Sequence, residues 1–441
     1  MKVRFVTLGC KLNFAESSAL GKELLKRGHQ RASLSEVPDV CVVNTCSVTD
    51  AADHKDRQAI HQLHRKYPNA IIIVTGCYAQ LQPQQIAQIE GVDYVLGQEE
   101  KYSITQLVDE LCDSLENGVP PTGRPTGYSL EAQKIRVANI REVEEFHGVH
   151  SADDRTRCFI KVQDGCNYFC TYCTIPYARG KSRNPKIEDV VKDAQEALNQ
   201  GAKELIITGV NIGDFGRSTG ESFIELLRAL DELGDEAIRR EARGMDYRVR
   251  ISSCEPNLLT DEIIDFVAQS KHFAPHFHIP LQSGSNEVLK IMKRRYTREL
   301  FAERVRRIKE LMPHAFIGVD CMVGVRGETE AYWEDYLAFI KGLDVSQLHV
   351  FTYSERANTK MLEMDLYVVP KKERQRRSKI LHEVSEEKTQ AFYAQHAGRK
   401  AVVLWEAKKE GDQMSGFTDN YIKVYRSYDR AKINTFEAIR L

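Results

Sequence analysis

The sequence predicts a multidomain α/β protein: an open parallel α/β sheet at the N-terminus, a partial (β/α)6 barrel in the centre and a small β-domain at the C-terminal end. Three observations predict it. Short β-branched runs alternate with helical stretches over the first hundred residues. A second alternating series, of six runs, follows from Arg157. Beyond about residue 385 the pattern changes to short runs punctuated by turn residues. The 441 residues are about three times a typical domain, which leaves room for all three parts.

Composition excludes several classes. Hydrophobic residues at 42% and charged residues at 28% are those of a globular chain, not a disordered one. No apolar run approaches the ~18 residues of a membrane helix. The start, MKVRFVTLGCKLNF, lacks the apolar stretch and small-residue site of a secretory leader, so a cytoplasmic protein without a membrane partner is expected. A net charge of −1 means that any nucleic-acid binding must come from local patches. Eleven cysteines, an odd number in a long chain with no leader, point to metal or redox chemistry rather than disulfides.

The first domain, residues 1–115, repeats one pattern. VRFVTLGC ends in Cys10, VCVVNTC in Cys46 and AIIIVTGC in Cys77. Each run reads as a buried parallel strand, with helices expected at Glu16–Arg27 and Ala51–Lys66. Ligands of open α/β sheets sit beyond the carboxyl ends of the strands, which is where all three thiols fall. ENGVPPTGRPTG and the polar EVEEFHGVHSADD mark residues 116–151 as a linker.

The barrel domain, residues 152–382, has strand candidates CFIKVQ, ELIITG, RVRISS, HFHIPL, FIGVDCMVG and QLHVFTY. Helices between them are expected at Ile187–Asn199, Phe223–Leu233, Asp261–Gln269 and Arg298–Met312. The active site of such a barrel lies at the carboxyl ends of its strands. The last domain, residues 385–441, contains AVVLW, YIKVYR and FEAIRL with turns expected at Gly411 and Gly416. From Gly398 onward it carries nine Lys/Arg against six Asp/Glu.

The sharpest local signal is Cys166-x-x-x-Cys170-x-x-Cys173, directly after the first barrel strand. A structural zinc site takes four protein ligands. Three thiolates suit a cubane cluster with one open iron. Cys10, Cys46 and Cys77 form a second set of three. Cys41, Cys112, Cys158, Cys254 and Cys321 have no such partners and are expected to be structural.

CxxxCxxC is the radical S-adenosylmethionine signature, and the chain resembles that superfamily to about residue 382. With TLGCKLNFAES, VVNTCSVT, VTGCYAQ, VRISSCEP and HIPLQSGSNEVLKIMKRRYT, it resembles the methylthiotransferase family over almost its whole length. The resemblance implies two 4Fe-4S clusters, held by Cys10, Cys46, Cys77 and by Cys166, Cys170, Cys173. It implies S-adenosyl-L-methionine as cofactor and a C-terminal RNA-binding domain of TRAM type, matched mainly at Gly416–Tyr421. The implied reaction replaces a C–H hydrogen by a methylthio group. One S-adenosylmethionine supplies the methyl; a second, cleaved on the open iron, supplies a 5′-deoxyadenosyl radical. TLGCKLN and ITGVNIGDFG look most like the branch that modifies C2 of N6-threonylcarbamoyladenosine beside the tRNA anticodon. The implied partners are the anticodon stem-loop and a reducing donor such as flavodoxin or ferredoxin.

Further residues are assigned by position. Tyr172 matches the aromatic of the cluster motif. Gly209 and Asn211 end the second barrel strand, where the superfamily often has an acidic contact to the methionine amine; Asn211 takes that place here. Ser253, Glu255 and Gln282 end the third and fourth strands and face the cofactor. His276 and His278 point to one side as core histidines. Arg326, in the loop after the fifth strand, stands where many relatives carry Pro and matches the carboxylate of a threonylcarbamoyl group. Phosphate contacts are expected from the basic runs Lys290–Lys309 and Lys371–Lys379, and base stacking from Tyr421, Tyr425 and Tyr428. Action on N6-isopentenyladenosine, action on a ribosomal-protein Asp, and a non-catalytic iron–sulfur RNA-binding protein remain alternatives.

Overall fold

Six strands build the first sheet: β1 (Lys2–Thr7), β2 (Gln30–Arg31), β3 (Val40–Thr45), β4 (Ile71–Gly76), β5 (Tyr94–Leu96) and β6 (Ile135–Arg136). They run in the order β2-β1-β3-β4-β5-β6 and all pairs are parallel. Side chains alternate across a strand, so a continuous apolar run feeds both faces. Val40, Val42, Ile71 and Ile73 pack with Leu20 and Leu24 of helix Lys11–Lys26. Cys41, Val43, Ile72 and Val74 pack on the other face with Ile60 and Leu63 of helix Asp50–Lys66. Thr49 caps that second helix by accepting from the Ala52 amide at 3.1 Å.

The structure is a computed structural model that describes residues 1–116, 134–151, 156–233 and 247–441. The chain divides into two compact units. The first comprises Met1–Ala152, Asp164–Asn167 and Cys173–Arg183; the second comprises Asp153–Gln163, Tyr168–Tyr172 and Asn184–Leu441. Among the described residues no helix is long and apolar enough to cross a membrane.

In the second unit β7 (Arg157–Lys161), β8 (Glu204–Thr208) and β9 (Arg248–Ile251) form one parallel sheet. β10 (His276–Gln282), β11 (Phe316–Val323) and β12 (Gln347–Thr352) form another. Parallel bridges at Val249–Phe273 and Ser253–His278 join the two into one array of six strands. Its core packs strand residues such as Ile160, Leu205, Val249 and Val319 against helix residues such as Leu226, Ile264, Phe301 and Trp333. The expected partial barrel is therefore present, with every predicted strand within two residues of its expected ends.

β13 (Lys400–Glu410), β14 (Gln413–Thr418), β15 (Lys423–Ser427) and β16 (Phe436–Arg440) form an antiparallel sheet in the order β15-β14-β13-β16. This module sits on the amino ends of the barrel strands. Buried Glu204 binds both Arg248 and Arg250, the latter at 3.1 Å. The two arginines donate onward to the backbone oxygens of Phe417, Thr418 and Asp419 at 3.2–3.3 Å. Asn420 Nδ2 donates to the His314 carbonyl at 3.1 Å, and Arg157 pairs with Glu406 at 2.9 Å.

Two boundaries and one turn differ from expectation. The Pro/Gly-rich part of the linker lies outside the described residues apart from Glu116. Residues 134–151 are not linker: β6 pairs with β5, placing them in the first unit. The start of the last domain at residue 385 falls inside helix Lys371–Gln395. Ser385 Oγ bonds Leu348 N and O of β12 there, so this helix closes the sixth β/α unit and the module begins at Lys400. Gly416 lies inside β14 rather than at a turn, and glycine is needed there because a Cβ would meet the Leu404 carbonyl at 2.6 Å.

Candidate active site

In the first unit β1, β3 and β4 are adjacent, and each ends at a cysteine. The β3–β4 register pairs Thr45 with Gly76, which sets the next residues, Cys46 and Cys77, side by side. Gly9 has φ +97°, and a Cβ there would meet Cys46 Cβ at 2.5 Å and Sγ at 2.8 Å. Gly76 has φ +100°, and a Cβ there would meet the Thr45 carbonyl at 2.4 Å. Glycine is thus required directly before Cys10 and Cys77 for the three strand ends to close up. Cys10 is also the N-cap of helix Lys11–Lys26.

Burial pushes Cys46 up to about 12 and also raises Cys77, against the pull of nearby Arg179. Such thiols stay protonated at neutral pH until a metal displaces the proton. Three soft donors at one sheet edge fit an iron–sulfur cluster.

A buried polar chain surrounds these thiols. Arg179 lies six residues beyond Cys173. It donates to Glu16 and Asp164 at 3.0 Å and to Asn13 Oδ1 at 2.7 Å. Lys101 reaches Glu16 and Gln98 at 2.5 Å, and Gln98 Nε2 lies 3.4 Å from Cys77 Sγ. Asn13 Oδ1 lies 3.7 Å from Cys10 Sγ. With Arg183, which pairs with Asp164 at 3.3 Å, three cations and two carboxylates are therefore buried together with mutual bonds, the condition under which buried charge is tolerated. Sequence reading missed this group. Its members are spread from residue 13 to 179, and only the IPYARG stretch after Cys173 hinted at it.

The Cys166–Cys173 loop follows β7. Cys166 N donates to the Gly180 carbonyl at 3.0 Å within the first unit. In the second unit buried Cys170 lies 3.1 Å from Arg294 NH1, which is 3.5 Å from the Tyr172 hydroxyl. Burial raises the Cys170 thiol, and the guanidinium opposes it. Arg294 also pairs with Glu255. Sequence reading counted Arg294 only as one charge in a basic run. Glu255 is therefore partnered by Arg294, and burial pushes its carboxyl up against that pull.

The other strand-end residues collect at the same ends of the second unit's strands. The amides of Val210 and Asn211 both donate to Gln163 Oε1, at 3.0 and 2.7 Å, which fixes the Gly209–Asn211 turn. The buried Asn211 side chain faces the Tyr168 hydroxyl. Gln282 has φ +63°, a conformation strained for a non-glycine residue, and its buried Oε1 has no hydrogen-bond partner among the described residues. An unsatisfied buried amide on a strained backbone marks a place suited to a ligand. Ser253 bridges to His278, whose Nε2 lies 2.7 Å from Asp320 and whose ring is 4.9 Å from His349. His276 instead stacks on Phe316 beneath the C-terminal module.

The charged residues singled out from the sequence have partners within the protein. Arg326 Nε donates to Glu355 at 3.0 Å. In the run Lys290–Lys309, seven of nine cations have internal acidic partners: Lys290, Arg294, Arg298, Arg304, Arg306, Arg307 and Lys309. In Lys371–Lys379, Arg374, Arg376, Arg377 and Lys379 are paired as well. Tyr421 is also taken. It packs against His276, Phe316 and Arg250 at 4.8, 5.4 and 4.8 Å. Tyr425 and Tyr428 remain exposed, with Lys423 and Lys409 over their rings at 4.8 and 5.2 Å.

Comparison with known proteins gives a concordant picture. Residues 160–340 match the radical SAM superfamily, and residues 2–97 match the uncharacterized protein family UPF0004. The threonylcarbamoyladenosine tRNA methylthiotransferase MtaB of Bacillus subtilis is 36% identical over 430 residues, covering 96% of this chain and 89% of the relative. The protein of that name from Aquifex aeolicus is 35% identical, with 97% of each chain covered. A tRNA-2-methylthio-N(6)-dimethylallyladenosine synthase from Pelotomaculum thermopropionicum is 31% identical over 94% of this chain and 88% of its own. The solved radical S-adenosylmethionine methyltransferase TsrM from Kitasatospora setae, with cobalamin and a [4Fe-4S] cluster, superposes at a TM-score of 0.54. It is 16% identical, covers 82% of this chain and 77% of its own, and shares the fold.

Proposed function

The chain belongs to the methylthiotransferase family of radical S-adenosylmethionine enzymes, and from that premise we propose how its residues serve the reaction. It is a tRNA methylthiotransferase acting on N6-threonylcarbamoyladenosine. It uses S-adenosylmethionine and two 4Fe-4S clusters. The observation that carries this reading is the second set of thiols. Generating a radical needs only the CxxxCxxC set, whereas forming a carbon–sulfur bond also needs a sulfur-bearing site, and Cys10, Cys46 and Cys77 offer one at a single sheet edge.

In the proposal Cys166, Cys170 and Cys173 hold the cluster that supplies the electron for cleaving S-adenosylmethionine. Asn211, Gln282 and Ser253 offer polar groups to the cofactor, and Glu255 is oriented toward it by Arg294. Tyr172 and Gly209 shape the wall. Asn13, Gln98 and Arg179 line the thiols of the other cluster. The net change replaces the hydrogen at C2 of the base by S–CH3, with the methyl drawn from one S-adenosylmethionine and the radical from another.

The target base must leave the anticodon loop stack to be reached. Exposed Tyr425 and Tyr428, each with a lysine over its ring, suit stacking on splayed loop bases. The internally paired basic runs contribute less phosphate neutralisation than their composition suggests. The anticodon stem-loop as docking element, a flavodoxin or ferredoxin as electron donor, a TRAM-type role for the last module and a cytoplasmic setting complete the proposal.

The test is to compare hydrolysed tRNA nucleosides by mass spectrometry from cells with and without the gene. The methylthio derivative of threonylcarbamoyladenosine should vanish when the gene is removed. Loss of methylthio-isopentenyladenosine instead would overturn the substrate assignment.

A further inference from the structure

We propose that Arg326 and Arg374 form a clamp for the carboxylate of the substrate's threonyl group, with Glu355 occupying the clamp until that carboxylate replaces it. This rests on the threonylcarbamoyladenosine reading.

The placement comes first. Arg326 lies in the loop after β11, and Glu355 lies three residues past the end of β12, both at the carboxyl ends of barrel strands. Their neighbours Val325 and Tyr353 share one apolar cluster with Met292 and Met361. Tyr172, between Cys170 and Cys173, packs against that same cluster. The arginines therefore sit at the end of the barrel where the cluster motif sits.

The charge balance comes next. Glu355 Oε1 accepts from Arg326 Nε at 3.0 Å and from Arg374 NH2 at 3.3 Å. Two cations face one carboxylate, so one positive charge is left over. Arg374 is anchored by bonds to the Val369 and Tyr353 carbonyls at 2.9 and 3.3 Å. Arg326 uses only Nε; its two terminal nitrogens have no partner among the described residues. The Glu355 side chain is 36% exposed, against 18% and 13% for Arg326 and Arg374. The carboxylate is thus the accessible member and the guanidiniums are the sheltered ones.

A carboxylate that water reaches adds little to stability through such pairs, so folding gives little reason for the trio. Replacing one carboxylate by another leaves the charge count unchanged, and a planar guanidinium fork suits either. The loop carrying Arg326 is rigid, as a binding residue requires. Buried Glu328 accepts from the Gly324 amide at 3.0 Å and from Arg377 at 2.6 Å, which pins both ends of the turn. An isopentenyl arm has no group to put in the clamp.

The experiment measures affinity of the reconstituted protein for an anticodon stem-loop carrying threonylcarbamoyladenosine, as the free acid and as its methyl ester. The wild type should prefer the acid by at least about tenfold, the scale of one charge-assisted hydrogen bond. Arg326→Gln and Arg374→Gln should each remove most of that preference. Glu355→Gln, isosteric and at a half-buried position, should enlarge it several-fold because the internal competitor is gone. Arginine variants that keep the wild-type preference, or Glu355→Gln that fails to enlarge it, overturn the clamp. A wild type that turns over threonylcarbamoyladenosine tRNA yet binds acid and ester alike also overturns the clamp, while leaving the substrate reading intact. Turnover of isopentenyladenosine tRNA alone overturns both.

Discussion

Replacing Arg179 by Met removes a buried guanidinium from between two buried carboxylates, Glu16 and Asp164. Breaking a buried charge group by deleting one partner costs roughly 3–5 kcal/mol, because the remaining charge loses its compensation. Chemical denaturation of Arg179→Met should show a loss on that scale, and Arg179→Lys a smaller one, since lysine keeps the charge but not the fork. A loss below about 1 kcal/mol would mean that Lys101 satisfies Glu16 and Arg183 satisfies Asp164 without Arg179. The cysteine sets were legible from sequence because one is a local motif and the other recurs at equivalent strand ends. Arg179, Glu16 and Lys101 were not, since only the folded sheet brings residues 16, 101 and 179 together. Arg326 was legible as a cation in the loop after β11, but its partner Glu355 lies on a different strand end and left no sequence signal.

At the scale of elements, β-branched runs identified the strands, and the six barrel strands fell where expected. The end of the barrel did not. Helix Lys371–Gln395 carries charge around most of its surface, so its few buried residues, such as Leu381, Val384 and Phe392, gave no clear stripe. Composition likewise read two basic runs as patches: acids such as Asp261, Asp265 and Asp335 reach them from other elements, and Glu287, Glu310 and Glu383 lie on the same helices just outside the counted windows. The docking of the last module was invisible for the same reason, and it leads to a pH prediction. Glu204 is buried, which alone would raise its carboxyl, yet Arg248 and Arg250 hold it at about 2 against an ordinary 4.5. A depressed acid contributes stability that is present above pH 4.5 and lost as pH falls through about 2. With Trp333 changed to Phe, fluorescence of Trp405 in β13 reports the module. Its stability should fall across that window in the wild type. In Glu204→Gln it should be lower at neutral pH and vary less across the window. Equal pH dependence in the two would show that Glu204 is not what ties the module down.

At the scale of the whole molecule, the proposed function requires two sets of three thiols to load independently, each with its own cluster. Iron per chain after reconstitution measures this most directly. The wild type should hold about eight irons, four for each cubane. Replacing Cys10, Cys46 and Cys77 together by Ala should leave about half, with some cleavage of S-adenosylmethionine surviving. Replacing Cys166, Cys170 and Cys173 should also leave about half, with cleavage abolished. Full iron and full methylthiolation in the Cys10, Cys46, Cys77 variant would contradict the assignment of a second cluster to those three strand ends.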